Sequence, residues 1–277
     1  TYRVEETVPA GYKATQTGTA LTNTLSGTFD LTVVKTWRDS DNAERERPEK
    51  ITVTLLADGQ PTQPEKTLEL TGTGNEWRGT FTGLEKYDEN GRKIEYSVRE
   101  DVPDGYRVLC GDAVAAGEGS YELTNVADGD VTLTKTVSGS RGSRTQEFTF
   151  TFTLRMTQDG PEQPGDWAYT ITRQDGTQET GRIGSGESFT LRHGESIRIH
   201  DLPGDALYAF AESGNEGYRV TQTGSTGWIL PGGTQAASFL NYRGGSGGGS
   251  DPDPDPDPDP DPGSDSGTVY LAQLPYT

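Results

Sequence analysis

Three residue types recur along this 277-residue chain at positions that could together make a covalent bond: a lysine, a glutamate and an asparagine. Lys35 lies in the run Leu31–Trp37 and Lys135 in Val131–Val137. Glu100 closes Tyr96-Ser97-Val98-Arg99-Glu100, and Glu212 closes Tyr208-Ala209-Phe210-Ala211-Glu212. Asn125 ends Leu123-Thr124-Asn125, and Asn241 ends Phe239-Leu240-Asn241. Burial lowers a lysine pKa and raises that of a glutamate. A neutral amine is a nucleophile. A protonated glutamate can hydrogen-bond an asparagine carbonyl oxygen, polarise it and shuttle protons. Attack of the lysine Nζ on that carbonyl would expel ammonia and leave an amide cross-link, and close packing would supply the proximity the reaction needs.

These residues must be carried by strands. Nearly every apolar segment has period two, as in Leu31–Trp37, Ile51–Leu56, Thr149–Leu154, Ile197–Ile199 and Tyr208–Phe210, and threonine fills the intervening positions. Asp58-Gly59, Asn90-Gly91, Asp159-Gly160 and Asp175-Gly176 mark turns between them. No amphipathic helix is apparent. The predicted class is all-β, with β-sandwiches favoured by the strand spacing. Side chains on a strand alternate faces, so parity decides which point inward. Lys35 shares a face with Leu31, Val33 and Trp37, and Lys135 with Val131, Leu133 and Val137. Glu100 goes with Tyr96 and Val98, Glu212 with Tyr208 and Phe210, Asn125 with Tyr121 and Leu123, and Asn241 with Ala237 and Phe239. Each set of three therefore faces a core, where a lone lysine is costly. Parity fits a bonded triad and an unreacted Lys–Glu pair hydrogen-bonded to Asn equally well.

An internal repeat sets the domain organisation. The pattern Tyr-x-(Val/Phe)-x-Glu, a turn and Gly-Tyr occurs at Tyr2 with Gly11-Tyr12, at Tyr96 with Gly105-Tyr106, and at Tyr208 with Gly217-Tyr218. Thr15-Gln16-Thr17-Gly18 and Thr221-Gln222-Thr223-Gly224 extend the likeness of the first and third copies. The expected units are 1–27, the end of a truncated domain, then 28–127 and 128–243. Glu6 and Asn23 form an orphan half-site in the first unit, since its lysine would lie before Thr1. The chain reads as a piece of something longer.

Composition narrows the alternatives. Only 30% of the residues are hydrophobic, so the cores must be small or stapled. Cys110 is the single cysteine, which excludes an internal disulfide, and it reads as an inert structural residue. His193 and His200 have no evident third ligand, so no metal and no cofactor is expected. The net charge is −19, and −12 remains without the seven aspartates that follow Gly244, so nucleic acid is not an expected partner. No run approaches the roughly 20 apolar residues of a membrane helix. Residues 244–273 read as a spacer: a Gly/Ser-rich start and then six Asp-Pro pairs from Asp251 to Pro262. At about 3.1 Å per residue that tract extends roughly 40 Å. No Ser/His/Asp or paired-carboxylate site suggests a hydrolase, so no enzyme activity is expected beyond a single-turnover self-reaction.

The Val34-Lys35-Thr36 and Leu133-Thr134-Lys135-Thr136 strands, the Glu motif with its Gly-Tyr, and the closing Thr-Asn or Leu-Asn resemble the Cna B-type family of Gram-positive adhesins and pilins over nearly all of 1–243. The resemblance implies a transthyretin-like, inverse immunoglobulin sandwich with lysine on the first strand and asparagine on the last. It implies intramolecular isopeptide bonds, with Glu100 serving Lys35 and Asn125, and Glu212 serving Lys135 and Asn241. One departure stands out. Glu212 is followed by Ser213-Gly214-Asn215-Glu216 where the other copies have a turn with Pro9 or Pro103. The chain ends Leu274-Pro275-Tyr276-Thr277, which resembles a sortase sorting motif without its glycine. The implied partners are sortase and peptidoglycan, with a host extracellular-matrix or cell-surface ligand reached through upstream domains, and no membrane in the mature form. The implied setting is the wall of a Gram-positive bacterium, and the implied role is an adhesin stalk. A sortase-assembled pilus subunit or a ligand-binding module are the alternatives, the first weakened by the lack of a Tyr-Pro-Lys type motif.

Overall fold

A computed structural model describes residues 4–43, 46–117 and 119–245. Apart from one 3-10 turn at Ser40–Asn42, the regular structure of the described residues is all β, arranged as a hairpin followed by two β-sandwiches in tandem. Tyr2 of the first repeat, the Asp-Pro tract, the rest of the spacer beyond Gly245 and Leu274–Thr277 lie outside the described residues.

The hairpin pairs Tyr12–Thr17 with Ala20–Leu25, antiparallel, about Gly18. In the first sandwich one sheet has the strand order Glu76–Glu85, Thr28–Arg38, Tyr121–Ala127, Tyr106–Cys110. The facing sheet runs Val114–Ala115, Glu95–Glu100, Lys50–Ala57, Gln60–Pro61, with Thr67–Thr71 also paired to Lys50–Ala57. The second sandwich opposes a six-stranded sheet to a four-stranded one. The six run Gln178–Ile183, Trp167–Thr172, Ser196–Leu202, Gly129–Ser138, Thr234–Tyr242, Arg219–Thr223, and the four run Ser188–Leu191, Phe148–Arg155, Leu207–Ser213, Thr226–Trp228.

The alternation in the sequence is what fills the cores. Phe148, Phe150, Phe152 and Leu154 are all buried in Phe148–Arg155, while the threonines between them face outward. Val131, Leu133 and Val137 line the opposite wall with Lys135 among them. In the first sandwich Trp37 stacks edge-on against Trp77 and Tyr106, with ring centroids 5.0 and 5.1 Å away. Such pairs add about 1 kcal/mol each beyond area burial, which helps a chain with few apolar residues.

Two topological facts position the chemistry. The strand that carries each lysine lies parallel to the strand that carries each asparagine, while every other strand pairing in the two sandwiches is antiparallel. A parallel pair cannot be closed by a tight turn and needs a long crossover. Here the crossover is the rest of the sandwich. The second fact concerns the join: Tyr121–Ala127 leads into Gly129–Ser138 through Asp128 alone. Around it, the Asp205 carboxylate receives both terminal nitrogens of Arg38 at 2.8 Å and Arg107 at 3.2 Å, and Ser40 donates to the Pro231 carbonyl at 2.7 Å. Gly232 is required there. Its φ of +64° is left-handed, and a Cβ would meet the Asp39 carbonyl oxygen at 2.7 Å.

Candidate functional site

Each sandwich brings its lysine, glutamate and asparagine together. Lys35 pairs in register with Leu123, and Trp37 with Asn125. Lys135 pairs with Phe239, and Val137 with Asn241. The asparagine is thus two residues beyond the lysine's partner in both domains, on the same inward face of the same sheet. The glutamate comes from the opposite sheet, from Glu95–Glu100 or Leu207–Ser213. Lys35, Lys135, Asn125 and Asn241 have no exposed surface, and the Glu100 and Glu212 side chains are each 1% exposed.

In the first sandwich the carboxylate bridges its two partners with separate oxygens. Lys35 Nζ donates to Glu100 Oε2 at 3.1 Å, and Asn125 Nδ2 donates to Glu100 Oε1 at 2.7 Å. In the second, one oxygen serves both. Lys135 Nζ lies 2.6 Å from Glu212 Oε1, a close charge contact out of hydrogen-bond alignment, and Asn241 Nδ2 donates to the same Oε1 at 3.1 Å. Glu212 Oε2 is occupied by Asn215 Nδ2 at 3.0 Å. The asparagine amides turn nitrogen, not oxygen, to the carboxylate, so the contact expected from a protonated glutamate to the amide oxygen is not the one present. A carboxylate only accepts, so the amide must present its donor. Asn125 Oδ1 and Asn241 Oδ1 are left buried without a hydrogen-bond partner.

An aromatic ring faces each ammonium. Lys35 Nζ is 4.4 Å from the centroid of Trp37, and Lys135 Nζ is 4.2 Å from that of Phe148. The ring quadrupole offsets part of the lost hydration of the cation. Burial pushes the Lys35 amine down to about 8, against the opposing pull of Glu100. Burial also lowers the Lys135 amine, again opposed by Glu212. Both amines are therefore shifted toward the neutral, nucleophilic form.

The orphan half-site keeps the same acid–acceptor contact. Asn23 Nδ2 meets Glu6 Oε1 at 2.5 Å, but both residues are exposed, on the hairpin and the segment leading into it.

The structure gives roles to residues that the sequence pattern left without one. The repeated Gly-Tyr is the first. Gly11, Gly105 and Gly217 have φ of 85°, 76° and 81°, and the following tyrosine N–H donates to the carbonyl of Pro9, Pro103 or Asn215. The tyrosines then close the end of each core: Tyr106 donates to the buried Asp39, and Tyr218 packs edge-on against Phe148. His193, considered above only as a metal ligand, accepts the Val137 N–H at 3.0 Å through Nδ1. His200 contacts Thr170 and Asp130. Cys110 is exposed at the end of Tyr106–Cys110 and is not a packed core residue.

Comparison with known proteins follows the same division. Residues 31–126 match the family model described as the Cna protein B-type domain, and residues 129–243 match a separate one described as a domain of unknown function. A collagen adhesin of Staphylococcus aureus is 44% identical over 104 residues, which is 37% of this chain and 8% of that protein's length. Among solved structures, the major pilin from Streptococcus pyogenes is 20% identical with a TM-score of 0.39, covering 78% of this chain and 98% of that one. Two B repeat units of the collagen-binding protein of S. aureus are 22% identical with a TM-score of 0.32, covering 84% of this chain and 56% of theirs. The lysine, glutamate and asparagine of the first sandwich all lie inside the segment that matches the Cna protein B-type domain.

Proposed function

We propose that this chain is a stalk segment of a cell-wall-anchored bacterial surface adhesin whose two sandwiches each cross-link themselves. The observation that carries the reading is the repetition of one geometry. A buried lysine and asparagine sit at the same offset of a parallel strand pair, bridged by a carboxylate from the facing sheet, in two sandwiches that match different family models. A structural ion pair needs no such matched register.

The reaction balances as follows. Lys35 passes one proton to Glu100 Oε2 and becomes a neutral amine. Its lone pair attacks Asn125 Cγ, and the new C–N bond replaces the bond to Nδ2. The nitrogen sheds a second proton, Nδ2 gains one, and ammonia leaves. The proton held by Glu100 departs with it as ammonium or remains on the carboxyl. Lys135, Glu212 and Asn241 follow the same course. The chain turns over once and is not an enzyme in the usual sense. Attachment to peptidoglycan by sortase through Leu274–Thr277, after the Asp-Pro tract, completes the stalk. It places the chain at the cell surface, with any host ligand bound by other parts of the protein.

Mechanical loading tests the stalk role. Pulled from its two ends, the chain should show no lengthening step from either sandwich, because the load crosses covalent bonds between paired strands. Glu100→Gln should restore one step of about 300 Å, the extended length of roughly 90 residues. Steps of that size from the parent chain would overturn the reading.

A pH effect follows from the buried amine. In Asn125→Ala no bond can form, but Lys35 and Glu100 remain. The folded-state pKa of Lys35 lies at about 8, below its ordinary 10.5. Between those values the unfolded chain binds the extra proton, so stability rises with pH through this window, and the burial cost is present in full below it. Urea midpoints of Asn125→Ala, taken relative to the double variant with Lys35→Met, should increase across the window. A flat difference would show that Lys35 is not held as described.

A further inference from the structure

The two sites differ in one respect that the strand register does not explain. Glu100 divides its oxygens between Lys35 and Asn125. Glu212 presents Oε1 to both Lys135 and Asn241, while Asn215 holds Oε2 at 3.0 Å. Asn215 occupies the place of Pro103, three residues beyond the glutamate in each case. The turn closes alike in both, although Gly214 is left-handed where Val102 is not: Tyr106 N–H donates to the Pro103 carbonyl at 3.3 Å and Tyr218 N–H to the Asn215 carbonyl at 3.0 Å, with Gly105 and Gly217 both left-handed. The backbone therefore does not need an asparagine here. What asparagine adds is a side-chain amide that reaches back to the carboxylate.

Resting on the proposed cross-linking, we infer that Asn215 is a positioning residue of the second site, fixing Glu212 so that its single oxygen Oε1 acts as a one-atom proton relay between Lys135 and Asn241. A carboxyl that accepts a proton on one oxygen must rotate before it can deliver that proton from the other oxygen's position. In the first site the nucleophile and the leaving group contact different oxygens, so the relay requires that rotation. In the second, Oε1 takes the proton from Nζ and hands it to Nδ2 in place. The amide of Asn215 holds the carboxylate against turning and supplies Oε2 with the hydrogen bond that a buried oxygen otherwise lacks.

The test uses the full chain, released by cell-free synthesis and quenched in acid at intervals. Ammonia loss is assigned to each sandwich by peptide mass spectrometry, so the first bond is an internal clock for the second. Asn215→Pro puts the residue type of Pro103 in the turn and removes the amide, and Asn215→Ala removes the amide without constraining the left-handed Gly214. Asn215→Pro should slow closure of the Lys135–Asn241 bond about 10- to 100-fold, the scale on which misplaced catalytic groups cost rate, and leave the Lys35–Asn125 bond at the parent rate. Asn215→Ala should do the same. Thermal unfolding of Lys135→Met with and without Asn215→Pro measures separately the structural loss of the hydrogen bond to Oε2, which is expected to lower the midpoint without accounting for the change in closure rate. The inference is overturned if the second bond closes at the parent rate, or slows only in step with lost stability. Absence of ammonia loss from the parent chain would instead overturn the cross-linking itself.

Discussion

The intact mass of the full chain is expected to fall short of the mass calculated from its sequence by two molecules of ammonia. Each sandwich supplies one, because each contains a complete set: Lys35, Glu100 and Asn125, or Lys135, Glu212 and Asn241. Lys35→Ala, Glu100→Gln or Asn125→Ala should each restore one ammonia, and removal of one residue from each set should restore both. Digestion should yield two branched peptides, one joining the Lys35 and Asn125 segments and the other joining those of Lys135 and Asn241. The hairpin is a control within the molecule. Glu6 and Asn23 touch as the other acid–acceptor pairs do, but no lysine contact to them is found among the described residues, so Asn23 is expected to keep its amide. An uncorrected mass equal to the calculated one would leave two buried ion pairs and no covalent function.

The second large effect is on thermal stability. The Lys35–Asn125 bond would close a loop of 90 residues. By the loop-entropy estimate used for disulfides, such a closure contributes about 4–5 kcal/mol. Glu100→Gln is nearly isosteric, so it removes the proton acceptor and hence the bond while disturbing packing little. For a domain of this size 1 kcal/mol moves the midpoint by about 4–8 °C, so the first sandwich should unfold roughly 20–30 °C lower. The second sandwich keeps its own bond and should hold its transition. Lys35→Ala should likewise lose the bond; it strands the buried carboxylate as Glu100→Gln strands the buried amine, and removing one partner of such a pair adds a loss of about 3–5 kcal/mol. A shift of only a few degrees for Glu100→Gln would mean that the core, and not the bond, holds the domain.

The strands and the inward placement of all six triad residues were legible because both rest on period two, a local property of the chain. The repeat was legible too, and its glycines prove to occupy left-handed turn positions that a side chain would strain. What could not be read was which sheet each strand joins. Nothing local tells Lys35 that its parallel neighbour is Leu123, or that Glu100 approaches from the facing sheet; that pairing is settled by long-range packing of both faces at once. The same holds for the rings over the amines. Trp37 is a neighbour of Lys35 on its own strand and was visible by parity, whereas Phe148 reaches Lys135 from another sheet. Asn215 lies between these cases. Its departure from Pro9 and Pro103 was plain in the sequence, but its bond to Glu212 is a side chain folding back across a turn, which no pattern encodes. Cys110 carried no pattern that told its exposure, and it ends an edge strand of its sheet.

The join at Asp128 has a consequence for survival among proteases. With both bonds closed, a single backbone cut anywhere between Lys35 and Asn125, or between Lys135 and Asn241, leaves the two pieces attached through the cross-link. Only the stretch from 126 to 134 remains a lone thread between the sandwiches. That stretch is the end of one central strand, one connecting residue and the start of the next, with Val126, Ala127, Val131 and Leu133 at most 2% exposed. The loops of each sandwich, where a protease would ordinarily enter, can be nicked without parting the two sandwiches. Between the two bonds, the span whose loss would part them is threaded through the interior of both sheets.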